Sequence, residues 1–230
     1  MNICVLGDSH VAAIKNGWEK IKNDHPQHQL IFFASPGPGL WELRLKGSVL
    51  VPNNRKLAEN FNYTSGGLSC VELNDYDAIL LVGMGLEIPR IDTRYSNAVI
   101  NQIFNDSTEK SLNIRLCKKI QPVFTRAIYL APTPQRASIS RPRLAQYKLN
   151  YFDAIKLAQT KFAVNSVSIV AQPHETIVDD WFTKRIYSIG SQRLAVNDST
   201  YSQYHDDIDD SHMNESFGQL WLNDFLKALD

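Results

Sequence analysis

Five short and almost entirely apolar runs of residues constrain the fold of this chain more than any other feature. They cover residues 3–6, 30–34, 78–82, 127–131 and 167–171, and glycine, proline or serine residues lie at or just beyond their ends. Apolar runs without alternation are typical of parallel strands that are covered on both faces. Apolar residues at helical spacing lie between the runs, so the alternation predicts a three-layer α/β sandwich.

The predicted helices cover residues 11–22, part of 101–120, 143–162 and a C-terminal run from Phe217 to Leu229. Two less regular stretches, 45–70 and 176–207, are predicted to form long loops or short helices over the site. A length of 230 residues without an internal repeat or a linker favours a single domain over residues 1–230.

Charge and cysteine content exclude several classes of function. The formal net charge is zero and no cluster of lysine or arginine stands out, so neither a nucleic acid nor a membrane is expected as a partner. The apolar run behind Met1 is too short for a signal-peptide core or a membrane span. The three cysteines, Cys4, Cys70 and Cys117, lack zinc-site spacing, which favours reduced thiols and a cytoplasmic location.

A candidate nucleophile lies where the first predicted strand meets the first helix, in the sequence Gly7-Asp8-Ser9-His10. Glycine permits a sharp turn there, and the helix start offers free N–H groups and the positive end of a dipole. Ser9 is therefore placed to attack a carbonyl and to leave its oxyanion near those N–H groups. The alternative is that Ser9 only caps the helix.

A candidate base lies just before the last predicted helix. Asp209 precedes His212 by three residues, so its carboxylate can accept the Nδ1 proton of His212 and leave Nε2 free for a serine proton. Asp210 is expected to face elsewhere. The alternatives are a solvated acidic loop or a metal site, because six ligand-type residues crowd here: His205, Asp206, Asp207, Asp209, Asp210 and His212. No HExxH or EF-hand pattern accompanies them, so no metal is predicted.

Together these two blocks resemble the SGNH (GDSL-like) hydrolase family, and the resemblance spans almost the whole chain. It implies a three-layer α/β/α sandwich with a five-stranded parallel, flavodoxin-like sheet, and a catalytic triad of Ser9, Asp209 and His212. The family's glycine after the second strand matches Gly39, with Gly37 as the second choice.

The oxyanion hole that the resemblance implies consists of Ser9, Gly39 and Gly85. The family usually has an asparagine in the third block, and its side chain is an oxyanion donor. Here that position is Gly85, which has no side chain to donate. Hydrolysis of generic esters is therefore expected to be slow.

The resemblance implies an esterase or acyl hydrolase that works through an acyl-serine and needs no cofactor. Small acyl groups on carbohydrates, such as O-acetyl groups, are the expected substrates. One alternative is an acyltransferase that uses the same triad to acylate a sugar. A second is a degenerate, non-catalytic binding domain.

Residues beyond the triad are candidates for substrate contacts. Gln135, Arg136, Arg141 and Arg143 follow the fourth predicted strand and are placed to meet an anionic or sugar substrate, unless they form a solvated loop. Trp41 and Trp181 are candidates for the lining of a sugar-binding cleft or for packing.

Overall fold

The fold comes from a computed structural model that describes residues 1–138, 148–162, 166–200 and 203–229. The strands are β1 Asn2–Gly7, β2 Gln29–Ala34, β3 Leu43–Lys46, β4 Val49–Pro52, β5 Val71–Glu72, β6 Ala78–Val82, β7 Ala127–Ala131, β8 Val167–Ile169, β9 Ile177–Val178 and β10 Phe182–Thr183. The helices are α1 Val11–Ile21, α2 Arg55–Ser65, α3 Asn97–Glu109, α4 Leu112–Ile120, α5 Tyr151–Phe162 and α6 Glu215–Lys227.

The five predicted apolar runs form one parallel sheet in the order β2-β1-β6-β7-β8. Counting only these strands along the chain, the order is 2-1-3-4-5, which is the flavodoxin-like arrangement. Because all five strands run in the same direction, their carboxyl ends lie at one edge of the sheet. The predicted sandwich with a five-stranded parallel sheet is confirmed.

Apolar side chains cover both faces of this sheet. On one face Cys4 and Leu6 of β1 belong to a buried cluster that includes residues of α2 and α4. On the other face Ile3 and Val5 belong to a cluster with α1 and α6. This alternation within β1 explains why the strand is apolar at each position from Ile3 to Leu6 and not only at every second one.

The structure corrects several predicted boundaries. The fifth run ends as a strand at Ile169 and not at residue 171, and residues 101–120 hold parts of two helices. These separate near Ser111, whose hydroxyl accepts the Ile114 N–H and so caps α4. The helix predicted over 143–162 is described from Tyr151 onward, and residues 143–147 lie outside the described residues.

The irregular stretch 45–70 was expected to form loops or short helices, and it contains an antiparallel hairpin instead. Strands β3 and β4 pair across Gly47, which has a φ of +59°, and the 11-residue helix α2 follows. A left-handed residue in a two-residue turn is what such a hairpin requires. In the described part of 176–207, short 3₁₀ turns accompany the two-stranded β9–β10 ribbon.

Helices α1 and α6 approach each other through two glycines. A Cβ atom on Gly218 would lie 1.9 Å from the Ala13 carbonyl oxygen, and one on Gly17 would lie 2.5 Å from the Gln219 nitrogen. Only residues without a Cβ atom permit this distance between the helices. Apolar residues of both helices, among them Trp18 and Trp221, are buried around the contact.

We predict that Gly218→Ala lowers the free energy of unfolding by about 1–3 kcal/mol, because the new methyl group overpacks a backbone contact. Alanine within an exposed helix would instead stabilise the protein by about 0.5–1 kcal/mol. Urea unfolding followed by circular dichroism measures the change. Asp224→Ala, at an exposed position of α6, is the control. Equal stability of Gly218→Ala and wild type would contradict the close helix contact.

Candidate active site

The segment that carries Ser9 is held tightly to the neighbouring strand. A Cβ atom on Gly7 would lie 2.4 Å from the Val82 carbonyl oxygen, so only glycine fits at the end of β1. Asp8 then accepts the Met84 N–H at 2.7 Å and the His10 N–H at 3.1 Å. The bond from Met84 ties the turn after β1 to the turn after β6, and the bond from His10 holds the turn itself, so Asp8 acts here as a positioning residue.

Ser9 does not cap α1 with its side chain. The helix begins at Val11 with His10 as its N-cap residue, and no side chain of the described residues caps it. The Ser9 hydroxyl instead lies 3.0 Å from Nε2 of His212. The capping alternative that the sequence left open is therefore wrong in this structure.

His212 lies between Ser9 and Asp209. Its Nδ1 donates to Asp209 Oδ2 at 2.9 Å, which leaves Nε2 to accept the Ser9 hydroxyl proton. Asp209 Oδ1 accepts three further bonds, from the His212 N–H at 3.0 Å and from the N–H and hydroxyl of Ser211 at 2.7 and 2.9 Å. Helix α6 starts directly afterwards, where the Asn214 side chain accepts the Phe217 N–H.

The two neighbouring aspartates face different partners. Asp210 contacts Arg136 at 3.4 Å and Asp209 contacts His212, as the spacing predicted. Burial alone would raise the pKa of the Asp209 carboxyl, but the hydrogen bonds from His212 and Ser211 hold that pKa well below its usual range. Asp209 is therefore ionised at neutral pH and stabilises a positive charge on His212.

Two further histidine rings, those of His205 and His10, stack on the ring of His212. The His205 ring lies 3.8 Å from the His212 ring, nearly parallel, and the His10 ring lies 5.1 Å away. His205 Nδ1 is also 3.2 Å from Asp209 Oδ2, so one carboxylate oxygen serves two imidazoles. Sequence reasoning placed His205 only in a metal alternative and His10 at the helix start. The spacing His-x₃-Asp-x₂-His is the signal that would have indicated the shared carboxylate.

The same three residues, His205, Asp209 and His212, offer ligand atoms that all lie within 4.8 Å of one another. Imidazole and carboxylate ligands suit zinc and other transition metals. In this structure Asp209 Oδ2 accepts the Nδ1 proton of His212 and lies 3.2 Å from Nδ1 of His205. The absence of a metal in the reaction stays a prediction.

The expected oxyanion residues lie at the carboxyl edge of the sheet. Gly39 is in the 3₁₀ turn Gly37–Glu42 after β2, where a Cβ atom would lie 2.5 Å from the Ser35 hydroxyl oxygen. Ser35 itself donates its N–H to the Gly7 carbonyl oxygen at 3.2 Å. Gly85 is exposed, with a φ of +73°. A left-handed φ there favours glycine, although asparagine tolerates it better than most residues do.

A groove of about 460 Å³ lies beside the triad. It is lined by residues 87–90 and 133–136 together with His10, Trp181 and Ser211. Among the arginines proposed from the sequence, Arg136 lines this groove, and Arg141 and Arg143 lie outside the described residues. Trp181 is buried, while Trp41 is about half exposed and packs under Arg115. Sequence reasoning missed Arg90, which lines the groove from the loop after β6.

A comparison with protein-family models and with curated protein sequences gives no match. Among solved structures, the periplasmic domain of a lipopolysaccharide acetyltransferase from Salmonella ser. Paratyphi A is similar, with a TM-score of 0.47 and 14% sequence identity. The alignment covers 99% of this chain and 83% of that domain. Within the described ranges, no helix combines the length and the apolar character needed to cross a bilayer. The cytoplasmic location stays a prediction.

We predict that Asp209→Asn lowers kcat on an ester substrate by about two to four orders of magnitude, because an amide no longer fixes the His212 tautomer. Asp210→Asn is the matched control and should have a mild effect, since Asp210 faces Arg136. Steady-state kinetics measures both variants, and circular dichroism checks their fold. The reverse order of the two effects would contradict the role of Asp209.

The imidazole stack predicts a pH dependence of stability. Burial lowers the pKa of His10 and of His205 below the ordinary 6.5, and a charge on His212 lowers both further. The unfolded chain therefore binds more protons than the folded one below about pH 6.5, and the free energy of unfolding falls as the pH falls. Urea unfolding at pH 7.5 and pH 5.5 measures this difference.

In His205→Phe the stacking is retained without a titrating group, so the difference between the two pH values should shrink. His25→Asn, which removes an imidazole bonded to Asn223 outside the stack, is the control. An undiminished difference in His205→Phe would show that His205 does not contribute.

Proposed function

We propose that this protein is a serine acyl hydrolase of the SGNH type that cleaves small ester groups through an acyl-serine. The observation that carries the proposal is the unbroken pair of hydrogen bonds from Ser9 through His212 to Asp209, at 3.0 and 2.9 Å. Nucleophilic catalysis requires a nucleophile, a base and a group that orients the base, each within hydrogen-bond distance of the next.

In the proposed reaction the Ser9 oxygen attacks the ester carbonyl carbon while His212 Nε2 takes the hydroxyl proton. The resulting tetrahedral oxyanion collapses, the bond to the leaving alcohol breaks, and His212 returns the proton to that alcohol. Water then adds to the acyl-serine with His212 as base, and the acid leaves with Ser9 regenerated. Ionised Asp209 stabilises the imidazolium in both steps.

The oxyanion is proposed to accept hydrogen bonds from the backbone N–H groups of Ser9 and Gly39. Within the described part of the chain, the Ser9 N–H has no hydrogen-bond partner, and it lies just before the N-terminus of α1. Gly85 contributes no side-chain donor, and the loss of one donor typically costs about 10²–10³ in kcat. This supports slow turnover of generic esters, which lack remote contacts to position them.

The acyl-serine is also the intermediate of an acyltransferase, in which a sugar hydroxyl replaces water. Product analysis distinguishes the two. Free acid alone indicates hydrolysis, whereas an acylated acceptor indicates transfer. The substrate proposed for either route is an O-acyl, and in particular an O-acetyl, carbohydrate.

We predict that a fluorophosphonate probe labels the wild-type protein on Ser9 and that Ser9→Ala abolishes both labelling and ester turnover. The probe reacts with serines that a base activates, and Ser9 is the serine bonded to His212 Nε2. Intact-mass and peptide mass spectrometry locate the label. Ser211→Ala, which removes a hydroxyl bonded to Asp209 but not the nucleophile, is the control and should still be labelled.

Labelling of a serine other than Ser9, or full turnover by Ser9→Ala, would overturn the assignment. A folded wild type that is neither labelled nor active would instead support a non-catalytic binding domain.

A further inference from the structure

The groove is lined in part by the chain neighbours of the proposed reacting residues, Ser9 and His212. His10 follows Ser9 in the chain and Ser211 precedes His212, and both line the groove. The other lining segments, 87–90 and 133–136, follow β6 and β7, which are the next two strands of the sheet after β1. A substrate whose ester carbonyl meets Ser9 would therefore extend along these two segments.

Arg90 places a cation in this groove. Its guanidinium carbon lies 4.4 Å from the centre of the Phe182 ring and 5.7 Å from the centre of the Trp181 ring. Stacking on aromatic faces leaves the N–H edge of a guanidinium open to an anion. Among the described residues no carboxylate forms an ion pair with Arg90, whereas Arg94 pairs with Asp92 at 2.7 Å.

Arg136 adds a second cation on the opposite segment. Its side chain is 75% exposed, and its contact with Asp210 is long, at 3.4 Å. Of the described residues that line the groove, Glu87 is the one with a carboxylate side chain. Arg136 thus has Asp210 within 3.4 Å, whereas Arg90 has no carboxylate partner among the described residues. Burial also lowers the pKa of Arg90, because its charge lacks full solvation.

We propose that this groove binds an anionic group of the substrate, a carboxylate or a phosphate, through Arg90 and Arg136. The inference rests on the proposed acyl-serine chemistry for its place in a reaction, but the binding itself does not need Ser9. A guanidinium fork matches the two oxygens of either anion, and such charge-assisted pairs are stronger than neutral hydrogen bonds. The proposed substrates are therefore acyl esters that carry a negative charge close to the scissile bond.

The kinetic test compares 4-acetoxybenzoate with its neutral methyl ester, which carries the same acetyl group. Wild type should favour the anion by about tenfold or more in kcat/KM. In Arg90→Gln and in Arg136→Gln this ratio should fall toward one, and Arg90→Lys should recover only part of it because it lacks the fork. Arg55→Gln, on α2 in a pair with Glu59, is the control and should retain the wild-type ratio.

The binding test uses Ser9→Ala and calorimetric titration with 4-hydroxybenzoate or with inorganic phosphate, so it needs no turnover. We expect one of these anions to bind, and we expect Arg90→Gln or Arg136→Gln to weaken that binding about tenfold. Such a result supports an anion site in the groove and identifies which anion the site prefers. If the anion binds in this way but the wild type is inactive and is not labelled by the probe, the proposed hydrolase function is overturned and the proposed anion site is retained. If the wild type is active but shows neither a preference for the anionic substrate nor anion binding, the anion site is overturned and the proposed hydrolase function is not.

Discussion

The contact between α1 and α6 is the constraint on which the rest of the site depends. Ser9 lies two residues before α1, and His212 lies three residues before α6, so the distance between the two helices sets the distance between the two side chains. Gly17 and Gly218 fix that distance, because any Cβ atom there would meet backbone. On the other side Asp8 ties the serine turn to Met84. Rigid elements thus position both Ser9 and His212, which the hydrogen bond joins.

The sequence predicted the sheet well because its strands are buried on both faces and read as unbroken apolar runs. The bounds of β6 and β7 were predicted without error, and those of β1 and β2 to within one residue at each end. The β3–β4 hairpin was not predicted, because its four-residue strands have no long apolar run and depend on the turn at Gly47. Propensity is weak where pairing and tertiary packing decide the structure.

The pairing of Asp209 with His212 was predictable because three residues separate them and local geometry suffices. The approach of Ser9 to His212 was predictable only through the family resemblance, since 203 positions separate the two. The stack of His10, His212 and His205 was not predicted, because it depends on how the turn after β1 and the segment 205–212 fold together. Arg90 was missed for the same reason. Its aromatic partners, Trp181 and Phe182, lie about ninety positions further along the chain.

The dependence of the site on α6 has a consequence for biosynthesis. Ser9 has already left the ribosome when the strands of the central sheet emerge, but the segment with Asp209 and His212 emerges much later. Until α6 follows, the apolar residues of α1 that pack against it, in the cluster that includes Trp18, lack that helix as a partner. Contacts between residues this distant in sequence form late in folding. Until they form, the exposed apolar surface can lead to aggregation. In a nascent chain of this protein Ser9 and His212 are thus brought together only when α6 docks, and a chaperone would be needed most in the interval before that.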